Sequence, residues 1–160
     1  MHTGNRVHAQ LIPAEPDTGI EFCRTDLPGG PCVKACLENV SDTRRATTIR
    51  QGDAVVHTTE HLLAALAAAG IGNVRIEMDG PEPPVDDGSA VLFEQAIRES
   101  GATSLGKPSK PLIVRSPVSY QQGETILVAL PRDTPGLRIS CTVRYDQNVM
   151  DTQYLSVDVT

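Results

Sequence analysis

Thr58-Thr59-Glu60-His61-Leu62-Leu63-Ala64-Ala65-Leu66-Ala67-Ala68-Ala69-Gly70 is the clearest helical stretch of the sequence and its most apolar run. Ala and Leu are the strongest helix formers, and Leu62, Leu63 and Leu66 fall on one face. Thr58 or Thr59 is the candidate N-cap, and Gly70 supplies a left-handed stop. The small Ala side chains let a sheet or another helix approach closely, so the stretch reads as a buried helix. Yet its first turn carries an adjacent acid and imidazole, Glu60 and His61. The positive end of the helix dipole favours an ionised carboxylate and a neutral imidazole there. Neutral imidazole is the metal-binding form, and an ionised carboxylate can take a proton from water. A capping glutamate beside a surface histidine accounts for the same pair equally well.

The flanks supply a sheet for this helix to cover. Residues 46–50 and 54–57 read as hairpin arms around Gln51-Gly52-Asp53 and lead into the helix. Residues 6–12 and 20–24 read as strands, the second antiparallel to the first, and residues 32–37 resume an extended pattern after Leu27-Pro28-Gly29-Gly30-Pro31. Past Gly70, residues 73–78 read as a strand with Val74, Ile76 and Met78 on one face. Residues 79–88 form a loop stiffened by Pro81, Pro83 and Pro84, which lowers the entropy lost on ordering it. Ser89 starts a second helix, with Val91, Leu92, Ala96 and Ile97 as its buried stripe and Gly101 at its end.

The fold class expected is α+β, a two-layer sandwich of a sheet with two helices on one face, over residues 1–105. Residues 102–111 have linker composition. Only strand signals follow, in residues 112–114, 125–130, 137–143 and 154–159. With no helix to cover their apolar faces, residues 106–160 read as an incomplete second domain of similar type, strands only.

Composition narrows the function classes. Aromatic residues make up 3% of the 160-residue chain and Trp is absent, which weakens any base-stacking role. A net charge of −6 argues against a general nucleic-acid or anionic-membrane binder. No apolar run reaches the roughly 20 residues of a membrane span, and no basic-then-apolar opening marks a secretory signal. Cys23, Cys32, Cys36 and Cys141 lie in strand-like surroundings, whereas disulfide frameworks belong to shorter, cysteine-dense secreted domains. Cys32-x-x-x-Cys36 has no second pair at zinc spacing. All four read as reduced thiols of a cytoplasmic protein.

Two motifs compete for Glu60 and His61. His57-Thr58-Thr59-Glu60-His61 spells H-x-x-E-H, the inverzincin protease pattern. That chemistry needs both imidazoles on one helical face. His57 instead follows the alternating Ala54-Val55-Val56 and precedes two β-branched threonines, so it reads as the end of a strand. A wider window carries more. Thr-x-Glu-His-Leu-x-x-Ala-Leu from Thr58 is followed by Gly-Ile-x-Asn-Val-x-Ile-Glu, then by Gly-Pro-Glu-x-Pro-x-x-Asp-Gly-Ser-Ala ending at Ala90. With His2-Thr3-Gly4 and Arg24-Thr25-Asp26-Leu27, these blocks resemble the UDP-3-O-acyl-N-acetylglucosamine deacetylase family, the zinc amidases of lipid A synthesis.

The resemblance implies roles. His61 would be one ligand of a Zn2+ ion, one per complete enzyme, and Glu60 the base that deprotonates the attacking water. The substrate would be UDP-3-O-acyl-N-acetylglucosamine, and the complete enzyme a cytoplasmic monomer with no nucleic-acid partner and no membrane span. Thr47 lies where the family places residues near the metal pocket, and Asp87-Gly88-Ser89 would fix the loop into the second helix, with Asp87 or Ser89 as its cap. The family's late His-Lys-x-x-Leu-Asp segment, source of the other ligands, has no counterpart among these residues, nor does its first strand. The expectation is therefore a piece of the enzyme, inactive alone, with the remaining zinc ligands outside the chain. A zinc protease, or a non-catalytic fragment with an assembly role, is the alternative.

Overall fold

The computed structural model describes residue 4 and residues 6–84, 87–108, 112–145 and 150–159. His2 and Thr3 of the expected early loop lie outside these, as do Ser109, Lys110 and Pro111 of the expected linker. The chain divides into two compact units, Met1–Pro108 and Ser109–Thr160.

The first unit runs β1 (Ala9–Pro13), β2 (Ile20–Arg24), β3 (Cys32–Lys34), a 3-10 turn (Leu37–Asn39), β4 (Val40–Asp42), β5 (Thr48–Gln51), β6 (Ala54–Val56), α1 (Glu60–Ala68), β7 (Val74–Met78) and α2 (Val91–Ser100). Its strands form a four-stranded sheet in the order β1-β7-β2-β3 and a three-stranded sheet in the order β4-β5-β6. β1 and β2 point in opposite directions as expected, but they are not neighbours, because β7 inserts between them. β2 and β7 are parallel. A parallel pair needs a long crossover, and here the crossover holds the small sheet and α1. That arrangement delivers Glu60 and His61 at the end of β6, where the small sheet gives way to α1.

The alternation in β7 has the predicted result: Val74, Ile76 and Met78 are buried while Arg75 is exposed. They join Phe22 and Val33 of the same sheet, Ile49, Ala54 and Val56 of the small sheet, Leu62, Ala65 and Leu66 of α1, and Ile97 of α2 in one core. Arg24 ties the two sheets together. The residue is 7% exposed, and its guanidinium donates to both Asp26 oxygens at 2.7 and 2.6 Å and to the Val55 carbonyl of β6 at 2.7 Å.

Three expectations need correction in the first unit. α1 is buried on one face only: Ala64, Ala67, Ala68 and Ala69 are exposed. α2 starts at Val91, and Val91 and Leu92 face outward. Its inward stripe is half-buried Ala90 and Phe93 with buried Ile97, an i, i+3, i+7 spacing that the longer apolar string at Val91 and Leu92 concealed. Third, Cys23 and Cys32 are joined as a disulfide, while Cys36 and Cys141 are free and exposed. Cys23 stands directly opposite Cys32 across β2 and β3. The neighbouring Arg24 N–H bonds the Pro31 carbonyl, so Cys23 and Cys32 are a non-hydrogen-bonded pair, whose side chains lie closest. Reading the cysteines by class and compartment missed this register.

The second unit contains two hairpins, β8 (Val118–Gln122) with β9 (Thr125–Ala129), and β10 (Leu137–Val143) with β11 (Gln153–Val159). Residues 112–114 are not a strand; β8 falls instead in a polar sequence whose Ser119, Gln121 and Gln122 hid it. Every residue of these four strands is exposed. The pairings Leu137↔Val159, Ile139↔Val157 and Cys141↔Leu155 put an apolar row on one face of the β10–β11 hairpin. Among the described residues, two α-helices and several sheets make the fold α+β, a sandwich in class.

Candidate active site

The site is built where the β5–β6 hairpin hands over to α1. The two-residue turn Gly52-Asp53 brings β6 back beside β5, with Gly52 at φ 57°, a conformation glycine adopts freely. Residues 57–59 follow, and α1 begins at Glu60. Neither threonine caps the helix through its side chain. Thr59 occupies the N-cap position, but its hydroxyl and its N–H both donate to the Thr47 carbonyl at 3.2 Å. The Thr58 hydroxyl donates to Glu82 Oε1 at 2.7 Å.

Glu60 and His61 sit together in the first turn, both half-buried. The Thr47 N–H donates to Glu60 Oε2 at 3.0 Å. Thr47 therefore holds the start of α1 from both of its backbone groups: the carbonyl takes Thr59, the N–H holds the Glu60 carboxylate. Glu60 Oε1 and the His61 ring have no hydrogen-bond partner among the described residues. A carboxylate anchored through one oxygen, next to an imidazole, can accept a proton and supply a metal ligand side by side.

His57 lies elsewhere. It precedes α1, its N–H donates to the Pro81 carbonyl at 2.8 Å, and its Nδ1 is 3.0 Å from Thr48 Oγ1. The helical face that an H-x-x-E-H site requires is not formed, since His57 is outside the helix. Among the described residues, the three donors found close together are Glu21, Cys23 and Cys32, on β2 and β3, and two of these are tied up in the disulfide.

Asp87, Gly88 and Ser89 lead into α2. Asp87 Oδ1 accepts from the Ser89 N–H at 2.9 Å and the Ser89 hydroxyl at 2.7 Å. These bonds, the hydroxyl first, hold the Asp87 carboxyl below the ordinary carboxylate range. Ser89 Oγ in turn accepts from the Val91 N–H at 3.3 Å. Ala90 holds the N-cap position and makes no side-chain bond.

Sequence reasoning named Glu60, His61 and Thr47 but gave no role to Thr48 or Glu82. The available signal for Glu82 was an acid set between Pro81 and Pro83, where a stiff turn leaves little reason for a solvating charge.

A protein-family profile described as LpxC: UDP-3-O-acyl N-acetylglycosamine deacetylase matches residues 1–160. The chain belongs to this family. Among curated relatives, UDP-3-O-acyl-N-acetylglucosamine deacetylase of Geobacter sp. (strain M21) is 39% identical over 99% of this chain and 51% of its own length. The protein of that name from Myxococcus xanthus (strain DK1622) is 40% identical over 99% of this chain and 50% of its own. A bifunctional enzyme LpxC/FabZ of Chlorobaculum tepidum is 39% identical over 96% of this chain and 33% of its own. This LpxC-family chain thus spans about half the length of the deacetylases it matches. No helix among its described residues is long and apolar enough to cross a membrane.

Proposed function

We propose that this chain forms part of a zinc-dependent deacetylase that removes acetate from UDP-3-O-acyl-N-acetylglucosamine in lipid A biosynthesis. The observation that carries the reading is the first turn of α1 in a chain of this family: Glu60 anchored on the Thr47 N–H, with His61 beside it uncommitted among the described residues. Catalytic zinc takes three protein ligands and leaves a position open. The described residues fit one corner of such a site, His61, and the remaining ligands would come from outside this chain. When bound, the ion lowers the pKa of water and polarises the amide carbonyl.

This chain's own residues would then do the following. His61 ligates through one ring nitrogen. Glu60 takes the proton of the water that attacks the acetamide carbon, and Oε1 is the oxygen for it, because Oε2 is held by Thr47. Thr47 keeps that carboxylate from swinging into solvent or onto the imidazole. Asp87, Gly88 and Ser89 shape the entry to α2 without touching the reacting groups. The net charge of −6 suits a small-molecule substrate better than a nucleic acid, and we read the complete enzyme as a cytoplasmic monomer.

The test is a hybrid in which this chain is continued by the second half of the M. xanthus relative. It should release acetate from the UDP-sugar, lose activity to a chelator and regain it with zinc. An active hybrid that is indifferent to the chelator would refute the metal-dependent reading.

A further inference from the structure

We propose that Glu82 is a positioning residue for Glu60 and His61, acting through Thr58; the catalytic side of this rests on the function proposed above. Glu82 is 2% exposed, and a carboxylate is kept that deep only where polar partners hold it. Its Oε1 accepts the Thr58 hydroxyl at 2.7 Å. Thr58 is equally buried and has φ 54°, a left-handed conformation that is an outlier for a β-branched residue. Such a backbone persists only where its surroundings over-determine it. Glu82 is the side chain that grips Thr58, two residues before Glu60 and three before His61.

The loop that carries Glu82 is itself fixed. The Pro81 carbonyl accepts the His57 N–H at 2.8 Å, so two successive loop residues hold two successive residues of the approach to α1. A Cβ on Gly80 would lie 2.5 Å from Val7 Cγ2, so Gly80 lets the loop close onto the core. Pro81 and Pro83 flank Glu82 and stiffen it. The unusual turn at Thr58 sets the direction in which α1 leaves β6, and Thr59 and Glu60 then reach Thr47 together. Releasing Thr58 lets this approach relax toward an ordinary backbone, and the carboxylate swings off the Thr47 N–H.

Amide hydrogen exchange on the 160-residue chain reads this directly, because the Thr47 N–H is bonded to Glu60 Oε2. Glu82→Ala should speed exchange at the Thr47 and Thr59 amides by about tenfold or more while amides of β2 and β7 stay within about twofold. Glu82→Gln keeps an acceptor for the Thr58 hydroxyl and should restore most of the protection. If Glu82→Ala does not fold, Thr58→Ala keeps a Cβ in the left-handed backbone, lacks the hydroxyl, and should show the same selective acceleration. Unchanged exchange at Thr47, or uniform acceleration across the sheet, overturns the proposal. In the active hybrid, Glu82→Ala should lower kcat by about 10- to 100-fold with KM within a few-fold, as expected for misplaced catalytic groups. An unchanged kcat also overturns it. A hybrid whose turnover survives Glu60→Ala would sink the assigned chemistry instead and leave the exchange result standing.

Discussion

His57 and His61 are four residues apart, and the structure gives them opposite circumstances. His57 is hydrogen-bonded on both its ring and its backbone, whereas the His61 ring is uncommitted among the described residues. In the hybrid, His57→Ala should keep zinc near one ion per chain, and His61→Ala should lose much of it, as read by metal analysis after gel filtration. Equal losses would favour the H-x-x-E-H geometry. Asp26 offers a pH test. The hydrogen bond from Arg24 is the main cause that holds its carboxyl below the ordinary 3.8. A depressed folded value stabilises above the unfolded pKa, and that stability is lost as pH falls through the folded value. Asp26→Asn should therefore cost about 1.5–3 kcal/mol near pH 7, the size of a hydrogen bond to a charged group. The gap between variant and wild type in urea unfolding should narrow below pH 3.8.

The individual elements were legible where the sequence had one clear period. β7 alternates and buries as it reads. α1 ends as Gly70 suggests: with φ 68°, it lets the Ile71 N–H reach the Leu66 carbonyl at 2.9 Å and its own N–H reach Ala67 at 3.1 Å. Gly70→Ala meets no steric contact, so its cost is conformational, about 1–2 kcal/mol. Thermal unfolding should show that loss, and parity with wild type would mean the helix end is reset. What was not legible depended on partners distant in sequence. The cross-strand disulfide needs the β2–β3 register, and the inward face of α2 needs the core it meets. Glu82 gained its significance only when the loop folded back onto Thr58, 24 residues away.

At the scale of the whole molecule, the first unit buries a core and the second exposes all four of its strands. An apolar sheet face calls for a covering layer. The 160-residue chain should bind a hydrophobic dye, and a chain ending at residue 108 should bind much less of it; equal binding would show that the second unit's faces are not the source. Half of the candidate site was legible because Glu60 and His61 share one turn, which needs no tertiary knowledge. With His61 as the uncommitted imidazole beside Glu60 among the described residues, the 160-residue chain alone should bind zinc weakly and show no turnover. The most direct measurement is Glu60→Ala in the hybrid, with zinc content and acetate release followed on the same sample. Bound zinc should be retained while turnover falls by about 10²–10⁴-fold, the contribution of a general base. Turnover within a few-fold of wild type would contradict the assignment and leave Glu60 as no more than an anchor for Thr47.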